Sequence, residues 1–367
     1  MNLLHSLNQN LRIPFHMPGH KRNTALLGES LPYALDITEI EGFDNLQHPQ
    51  GVLLHIAQRA QALWQSDKTY LSVNGSTGAI LAGIRAMTNP GDKIIVARNC
   101  HMSVFHAIEL CNLKPVFLTP EWLPEWGVYG QVAQKNFDAL CQKHPDAALC
   151  ALTSPTYEGI ISEIETDIPM LVDAAHGAHM ALPKADIVVQ SLHKTLPALT
   201  QTALLHVQGQ RVDLKKLEHN LRIFQSSSPS YVLLASIEHC IALLEAYKEP
   251  WFLAWEKRLN NFYKRAQTWQ HLELFQPCDR SKLLLKCDAS AAAKFLREHN
   301  IEPEYAHENR LLLLTSPCDT NEMMQQLTQV LNQLDHPRFT TYGQQLSPEP
   351  KNLGELSNGW TFHLPNG

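Results

Sequence analysis

Between residues 69 and 207 the chain switches repeatedly between short apolar runs and segments with helical spacing. Thr69–Val73, Lys93–Ala97, Lys114–Leu118, Ala148–Leu152, Met170–Val172, Ile187–Gln190 and Ala203–Val207 each have the length of a strand. Most carry too few polar residues to lie open to water, so they read as buried strands. Helical spacing over His55–Gln65, Ala79–Met87, Met102–Cys111 and Gln134–Lys143 falls between them. The alternation predicts an α/β fold built on a mainly parallel sheet.

Residues 209–265 are expected to be helical, with Leu214, Leu217 and Leu221, then Leu243, Leu244 and Tyr247, at helical spacing. Strand patterns over Lys282–Lys286 and Arg310–Leu314 alternate with helical ones over Ala289–Glu298 and Asn321–Leu334, as in a small α+β domain. The expected organisation is an N-terminal arm (1–50), a large domain (51–265), a smaller C-terminal domain (266–336) and an irregular tail (337–367). Pro and Gly punctuate the arm, which is expected to pack over a site or a partner subunit. A chain of 367 residues can hold two such domains.

The net charge of −6 comes from scattered residues, without the basic footprint of a nucleic-acid binder. No run approaches the ~20 apolar residues of a membrane span, and the start lacks a signal-peptide pattern. The eight cysteines form no CxxC pair, so reduced thiols in a cytoplasmic protein are expected.

Three segments carry chemistry. In Ser191-Leu192-His193-Lys194, a strand ends and a lysine follows in a loop. A lysine amine there can hold the aldehyde of pyridoxal 5′-phosphate (PLP) as a Schiff base; the bland alternative is a surface lysine. In Val172-Asp173-Ala174-Ala175-His176, an Asp stands just past a buried strand. Its carboxylate can pair with the pyridinium nitrogen, in the crevice at the strand ends where α/β sheets bind ligands; the bland role is a turn cap. His176 and His179 form an H-x-x-H pair without a third ligand at zinc-like spacing, so no metal is expected. In Asn74-Gly75-Ser76-Thr77-Gly78, glycines and hydroxyls precede a helix, which suits a phosphate. His101 opens the helix after the next strand and is a candidate to lie on the cofactor ring.

These residues resemble the Orn/Lys/Arg decarboxylase family, in the branch with the aspartate-aminotransferase-type fold. The resemblance is collinear from about residue 14 to 335. It runs through Phe15–Lys21, Thr38–Asp44, the Asn-Gly-Ser-Thr-Gly turn, Asn99–His101, Thr153–Tyr157, Asp173–His176, Ser191–Leu196, Leu199–Gln201 and Ser227–Tyr231. It implies a PLP-dependent transferase fold of type I, a homodimer with shared active sites, and a part in amino-acid metabolism and polyamine biosynthesis. It also implies roles. Lys194 holds the cofactor, Asp173 faces the ring nitrogen, His176 sits beside the ring and His101 stacks on it. Ser76, Thr77, Ser191 and His193 hold the phosphate, and Ser228 reaches a phosphate in the other subunit. Lys194, His101 and Asp173 form the implied catalytic set.

Departures from the family pattern are Met102 after the stacking histidine, Tyr157-Glu158-Gly159, Asn45 with Gln47 before His48, and a tail without the family's Pro-Gly motifs. The chain is thus expected to be a short member lacking the usual C-terminal domain. The expected reaction is decarboxylation of a basic amino acid through an external aldimine and a quinonoid intermediate. An aminotransferase, with Arg310 gripping the substrate carboxylate, is the alternative; Arg310 in a strand-edge salt bridge is the plainer reading. A non-catalytic regulatory homologue is the third.

Overall fold

The computed structural model describes residues 13–15, 19, 23, 39 and 42–340. A first strand, β1 (Ile13–Phe15), lies in the N-terminal arm. It is followed by α1 (Val52–Trp64), β2 (Lys68–Ser72), α2 (Gly75–Met87), β3 (Lys93–Ala97), α3 (Met102–Leu110) and β4 (Lys114–Leu118). A hairpin of β5 (Trp122–Leu123) and β6 (Val128–Tyr129) leads to α4 (Gln134–Lys143). Next come β7 (Ala147–Thr153), β8 (Met170–Asp173), β9 (Ile187–Ser191), the one-turn α5 (Leu192–Thr195) and β10 (Ala203–Val207). Helices α6 (Leu214–Phe224) and α7 (Tyr231–Ala266) lead to a second unit. That unit contains β11 (Glu273–Leu274), β12 (Lys282–Lys286), α8 (Ala289–Glu298), β13 (Ile301–Pro303), β14 (Tyr305–His307), β15 (Arg310–Leu314) and α9 (Asn321–Leu334).

Seven strands form the large sheet in the order β2-β10-β9-β8-β7-β3-β4. The ladders from β9 through β8, β7 and β3 to β4 are parallel, and β10 runs antiparallel to both neighbours. This is the expected mainly parallel α/β sheet. Every residue of β8, β9 and β10 is buried, which is why these strands read as unbroken apolar runs instead of alternating ones.

The four-stranded antiparallel sheet β11-β12-β15-β14 buries Leu283, Leu285, Leu311 and Leu313 against α8 and α9. The arm is less irregular than its composition suggests. β1 pairs in parallel with β13, Ile13 opposite Ile301 and Phe15 opposite Pro303, and Phe15 is fully buried in the same core. Helix α7 bridges the two cores. Its Ile237, Ile241 and Leu244 pack with Leu53 and Ile56 of α1, while Phe262 and Tyr263 join the small-sheet core. Among the described residues no helix is long and apolar enough to cross a membrane.

One buried group makes the large sheet sensitive to acid. His206 of β10 stands opposite Thr69 of β2, with its Nδ1 2.9 Å from the threonine hydroxyl, and is wholly buried. Burial lowers its pKa to about 3. An unfolded histidine titrates near pH 6.5, so between these values the unfolded chain takes up a proton that the folded chain refuses. The stabilisation is complete above pH 6.5 and falls by about 1.4 kcal/mol per pH unit below it. We expect His206→Gln to flatten the acid limb of a melting-temperature profile between pH 6.5 and 4. A limb as steep as in the parent chain would assign the acid lability elsewhere.

Candidate active site

The parallel strands β7, β8 and β9 end side by side. Thr153 lies opposite Asp173, and the carbonyl of Asp173 accepts from the Ser154 N–H at 3.0 Å. Asp173 is the last residue of β8, not the first beyond it, and is 2% exposed. One carboxylate oxygen accepts from the Ala175 N–H at 3.1 Å. Lys194 was expected in a loop. It lies instead on α5, which starts directly from the end of β9 and so holds the side chain on a fixed turn.

Arm residue Gly19 closes on that turn. Its N–H donates to the carbonyl of His193, and its carbonyl accepts from Ser316 Oγ at 2.7 Å. A Cβ at Gly19 would meet backbone atoms of Thr195 and Leu196 at 2.7 Å, so the approach requires glycine. Of the other arm residues of the resemblance, His16, Met17, Pro18, His20, Lys21, Thr38, Ile40 and Glu41 lie outside the described residues.

Lys194 Nζ is 3.0 Å from His176 Nε2. Burial lowers the lysine pKa; Asp173 and then Glu304 oppose the shift, and Lys282 adds to it. Burial, then the charges of Lys194 and Lys282, hold the His176 imidazole well below its ordinary range. His176 is therefore a neutral acceptor, and Lys194 is biased toward the neutral amine that attacks a carbonyl. His101 caps α3, its Nδ1 accepting from the Ser103 N–H at 3.2 Å, and the residue is exposed. Its surroundings lower its pKa, against the pull of Asp173.

The start of α2 leaves backbone N–H groups without a side-chain cap, which could hold an anion. This helix begins at Gly75, four residues earlier than its periodicity suggests. Asn74 does not cap it, because its amide donates to the carbonyl of Phe224 at 3.0 Å. Ser191 Oγ donates to Ser76 Oγ at 3.0 Å, which joins the end of β9 to the first turn of α2. His193 stands beside them with Nδ1 3.1 Å from the carbonyl of Thr202, and Thr77 is exposed on the first turn of α2. Ser228 sits on the exposed loop between α6 and α7, its N–H donating to Ser226 Oγ at 3.2 Å. Within one chain it is not hydrogen-bonded to another of the candidate residues.

The donor set fits PLP. An amine, a buried carboxylate and a helix N-terminus without a side-chain cap converge at the strand ends. Thr153 Oγ1 beside Asp173 and Nδ1 of His176 are buried polar atoms that no described residue satisfies. The H-x-x-H pair divides between partners: His176 faces Lys194, and His179 Nε2 lies 3.2 Å from Asp279 Oδ1.

The sequence reading missed what the small sheet adds. Tyr157 stacks its edge on the His176 ring at 4.7 Å, lies over Tyr305 at 5.6 Å, and donates its hydroxyl to Glu304. Arg310 donates to the carbonyl of Gly127 and pairs with Glu308 at 2.9 Å, the plainer of the two roles expected for it. Behind His176 lies a buried ion pair, Lys282 Nζ to Asp279 Oδ2 at 3.0 Å. Glu304 falls between two three-residue strands, and Lys282 opens an apolar strand where a solvent-facing lysine is the default, so neither carried a readable signal.

The model of the Orn/Lys/Arg decarboxylase major domain matches residues 2–287. The chain is 34% identical over 341 residues to the uncharacterized protein YaaO of Bacillus subtilis, covering 82% of this chain and 70% of that one. It is 34% identical over 250 residues to an arginine decarboxylase of Bacillus anthracis, covering 62% of this chain and 51% of that one. It thus spans about half the length of that enzyme. Among solved structures, the constitutive lysine decarboxylase of E. coli superposes with a TM-score of 0.68 at 20% identity, over 77% of this chain and 51% of that one. A chain titled as SPT with PLP as the internal aldimine superposes at 0.64 and 13% identity, over 88% of this chain and 86% of that one. The two superpositions establish the fold, that of the PLP-dependent enzymes of type I, and the family match goes further: this chain belongs to the Orn/Lys/Arg decarboxylase family.

Proposed function

We propose that the chain is a PLP-dependent decarboxylase of a basic amino acid, with Lys194, Asp173 and His101 as its catalytic residues. The observation that carries this reading is a part-buried Lys194, set against His176 and within electrostatic reach of the buried Asp173, at the ends of parallel strands. Bound PLP supplies the sink for the electrons of the bond broken at Cα. Lys194 is the covalent anchor and moves a proton at its Nζ, with His176 holding that atom in place. Asp173 would hold a proton at the ring nitrogen of the bound cofactor. His101 would cover the ring of the bound cofactor and is the second candidate to deliver a proton to Cα. Ser76, Thr77, Ser191 and His193 bind the phosphate.

Glu304 places negative charge within reach of Lys194, which suits a cationic side chain. Arg310 supports the aminotransferase alternative less well, since Gly127 and Glu308 already occupy its guanidinium. The site belongs to a large domain (51–265), closed by a small one (266–336). Eight free thiols, six of them buried, agree with a cytoplasmic setting. Incubating the purified protein with PLP and a panel of amino acids, while reading CO₂, amine and keto acid together, tests the reaction. Amine and CO₂ from lysine, arginine or ornithine are expected. Keto acid without CO₂ would sink the decarboxylase reading.

The exposed position of Ser228 suits a contact with the phosphate of a second subunit, in a homodimer with shared sites. Mixing inactive Lys194→Ala and Ser228→Ala subunits is expected to restore part of the activity, because one site of each heterodimer is then intact. No recovery after proven subunit exchange would count against sharing.

A further inference from the structure

Among the described residues, Lys282 is the largest fully buried side chain of an ionisable residue that the proposed chemistry does not use. It is 0% exposed, at the first position of β12. Its ammonium lies 3.0 Å from Asp279 Oδ2 and donates to Ser281 Oγ at 2.9 Å and to the backbone carbonyl of His176 at 3.3 Å. Asp279 reaches His179 at 3.2 Å through its other oxygen. Burial alone would raise the Asp279 carboxyl, but Lys282 and then His179 outweigh it and hold it well below the usual carboxylate range. The ion pair therefore grips both ends of the turn His176–His179 that follows the Asp173 strand.

The same pair braces the Tyr157 turn. The Asp279 N–H donates to the carbonyl of Gly159 at 2.9 Å. Gly159 has φ +87°, and a Cβ there would meet the Asp279 carbonyl at 2.7 Å and Lys282 Cγ at 2.9 Å. Tyr157 and His176, whose rings touch, are thus both backed by one ion pair belonging to the small sheet.

We propose that Lys282 is a positioning residue of the active site: its ammonium, fixed by Asp279, holds the turn that aims His176 at Lys194 and sets the charge that Lys194 experiences. The inference rests on Lys194 being the cofactor lysine. The groups facing Lys194 are His176 at 3.0 Å, with Asp173, Glu304, His101 and Lys282 within electrostatic range. Among them, Lys282 is the basic side chain anchored away from solvent by a carboxylate. A neighbouring cation in a desolvated pocket is a known means of keeping a reactive lysine deprotonated. A buried ion pair is a costly way to stabilise a fold, since well-packed apolar residues of similar volume often do as well or better.

The test uses the PLP-loaded protein and three variants: Lys282→Arg, Lys282→Met and the doubly apolar Lys282→Met with Asp279→Leu. The first readout is the pH at which the absorbance of the covalent Lys194 linkage changes, taken without substrate. In Lys282→Met this transition is expected to rise by about one to two pH units, the scale of one charge removed ~6–12 Å away at an effective dielectric near 20. The second readout is turnover. In Lys282→Met we expect kcat to fall by about 10–100-fold with KM little changed, as for a misplaced catalytic group. Lys282→Arg should recover part of it. The double variant separates positioning from stability, because it can refold as an apolar core. A double variant as stable as the parent that still has low kcat supports the proposal. Return of kcat along with stability makes the ion pair a packing feature and overturns it. An unmoved transition in a folded Lys282→Met protein overturns it too. Failure of the parent chain to form any linkage at Lys194 would instead count against the cofactor reading.

Discussion

Asp173→Asn is expected to leave a folded protein that still binds PLP and has lost turnover by about two to three orders of magnitude. The substitution keeps the side-chain shape, and the asparagine oxygen can still accept the Ala175 N–H that Asp173 accepts at 3.1 Å. What it removes is the negative charge, at a position 2% exposed where water cannot replace it. A protonated ring nitrogen and a buried carboxylate stabilise each other; without the carboxylate the proton leaves near neutral pH. Electrostatic terms at a reacting centre commonly supply ~3–4 kcal/mol, which sets the size of the loss. The measurements are kcat and the absorbance of the loaded protein. Turnover within about threefold of the parent would mean that another group protonates the ring.

The second large effect is at Lys194. Lys194→Ala removes the amine that lies against His176, while the Ser76–Ser191 end of the site stays intact. PLP should still bind through its phosphate, without a covalent bond to the protein. Turnover should fall by about three orders of magnitude or more, the scale of losing a covalent catalytic group. A small primary amine added to the solution should restore a fraction of it by taking the place of the side chain. Undiminished turnover in this variant would place the chemistry on another lysine.

Most strands of the large sheet were legible because burial leaves little room for polar residues, and the half-buried edge strand Lys114–Leu118 because it is still a short, mainly apolar run. Lys93–Ala97, Lys114–Leu118 and Ala203–Val207 occupy the residues expected of them. Elements of two or three residues were not legible. β1, the β5–β6 hairpin, β13 and β14 are too short for any periodicity; β1 and β13 are held by each other across most of the chain, while β5–β6 and β14 pair with their immediate neighbours. The start of α2 was hidden by Gly75 and Gly78, which locally read as a turn; the carbonyl of Gln201, 2.8 Å from the Gly75 N–H, holds them at the helix start. The site divides in the same way. Asp173 and Lys194 announce themselves through residue type at strand ends. Lys282 and Asp279 lie about a hundred residues from the histidines they brace, and only the packing of the small sheet against the large one joins them.

The central claim is that Lys194 carries the cofactor. Borohydride reduction of the PLP-loaded parent protein, followed by peptide mass spectrometry, tests it most directly. The expected result is a single pyridoxyl adduct on the peptide that contains Lys194, with loss of the yellow absorbance. An adduct on Lys282 or any other lysine, or no adduct on a protein that turns over amino acids, would contradict it.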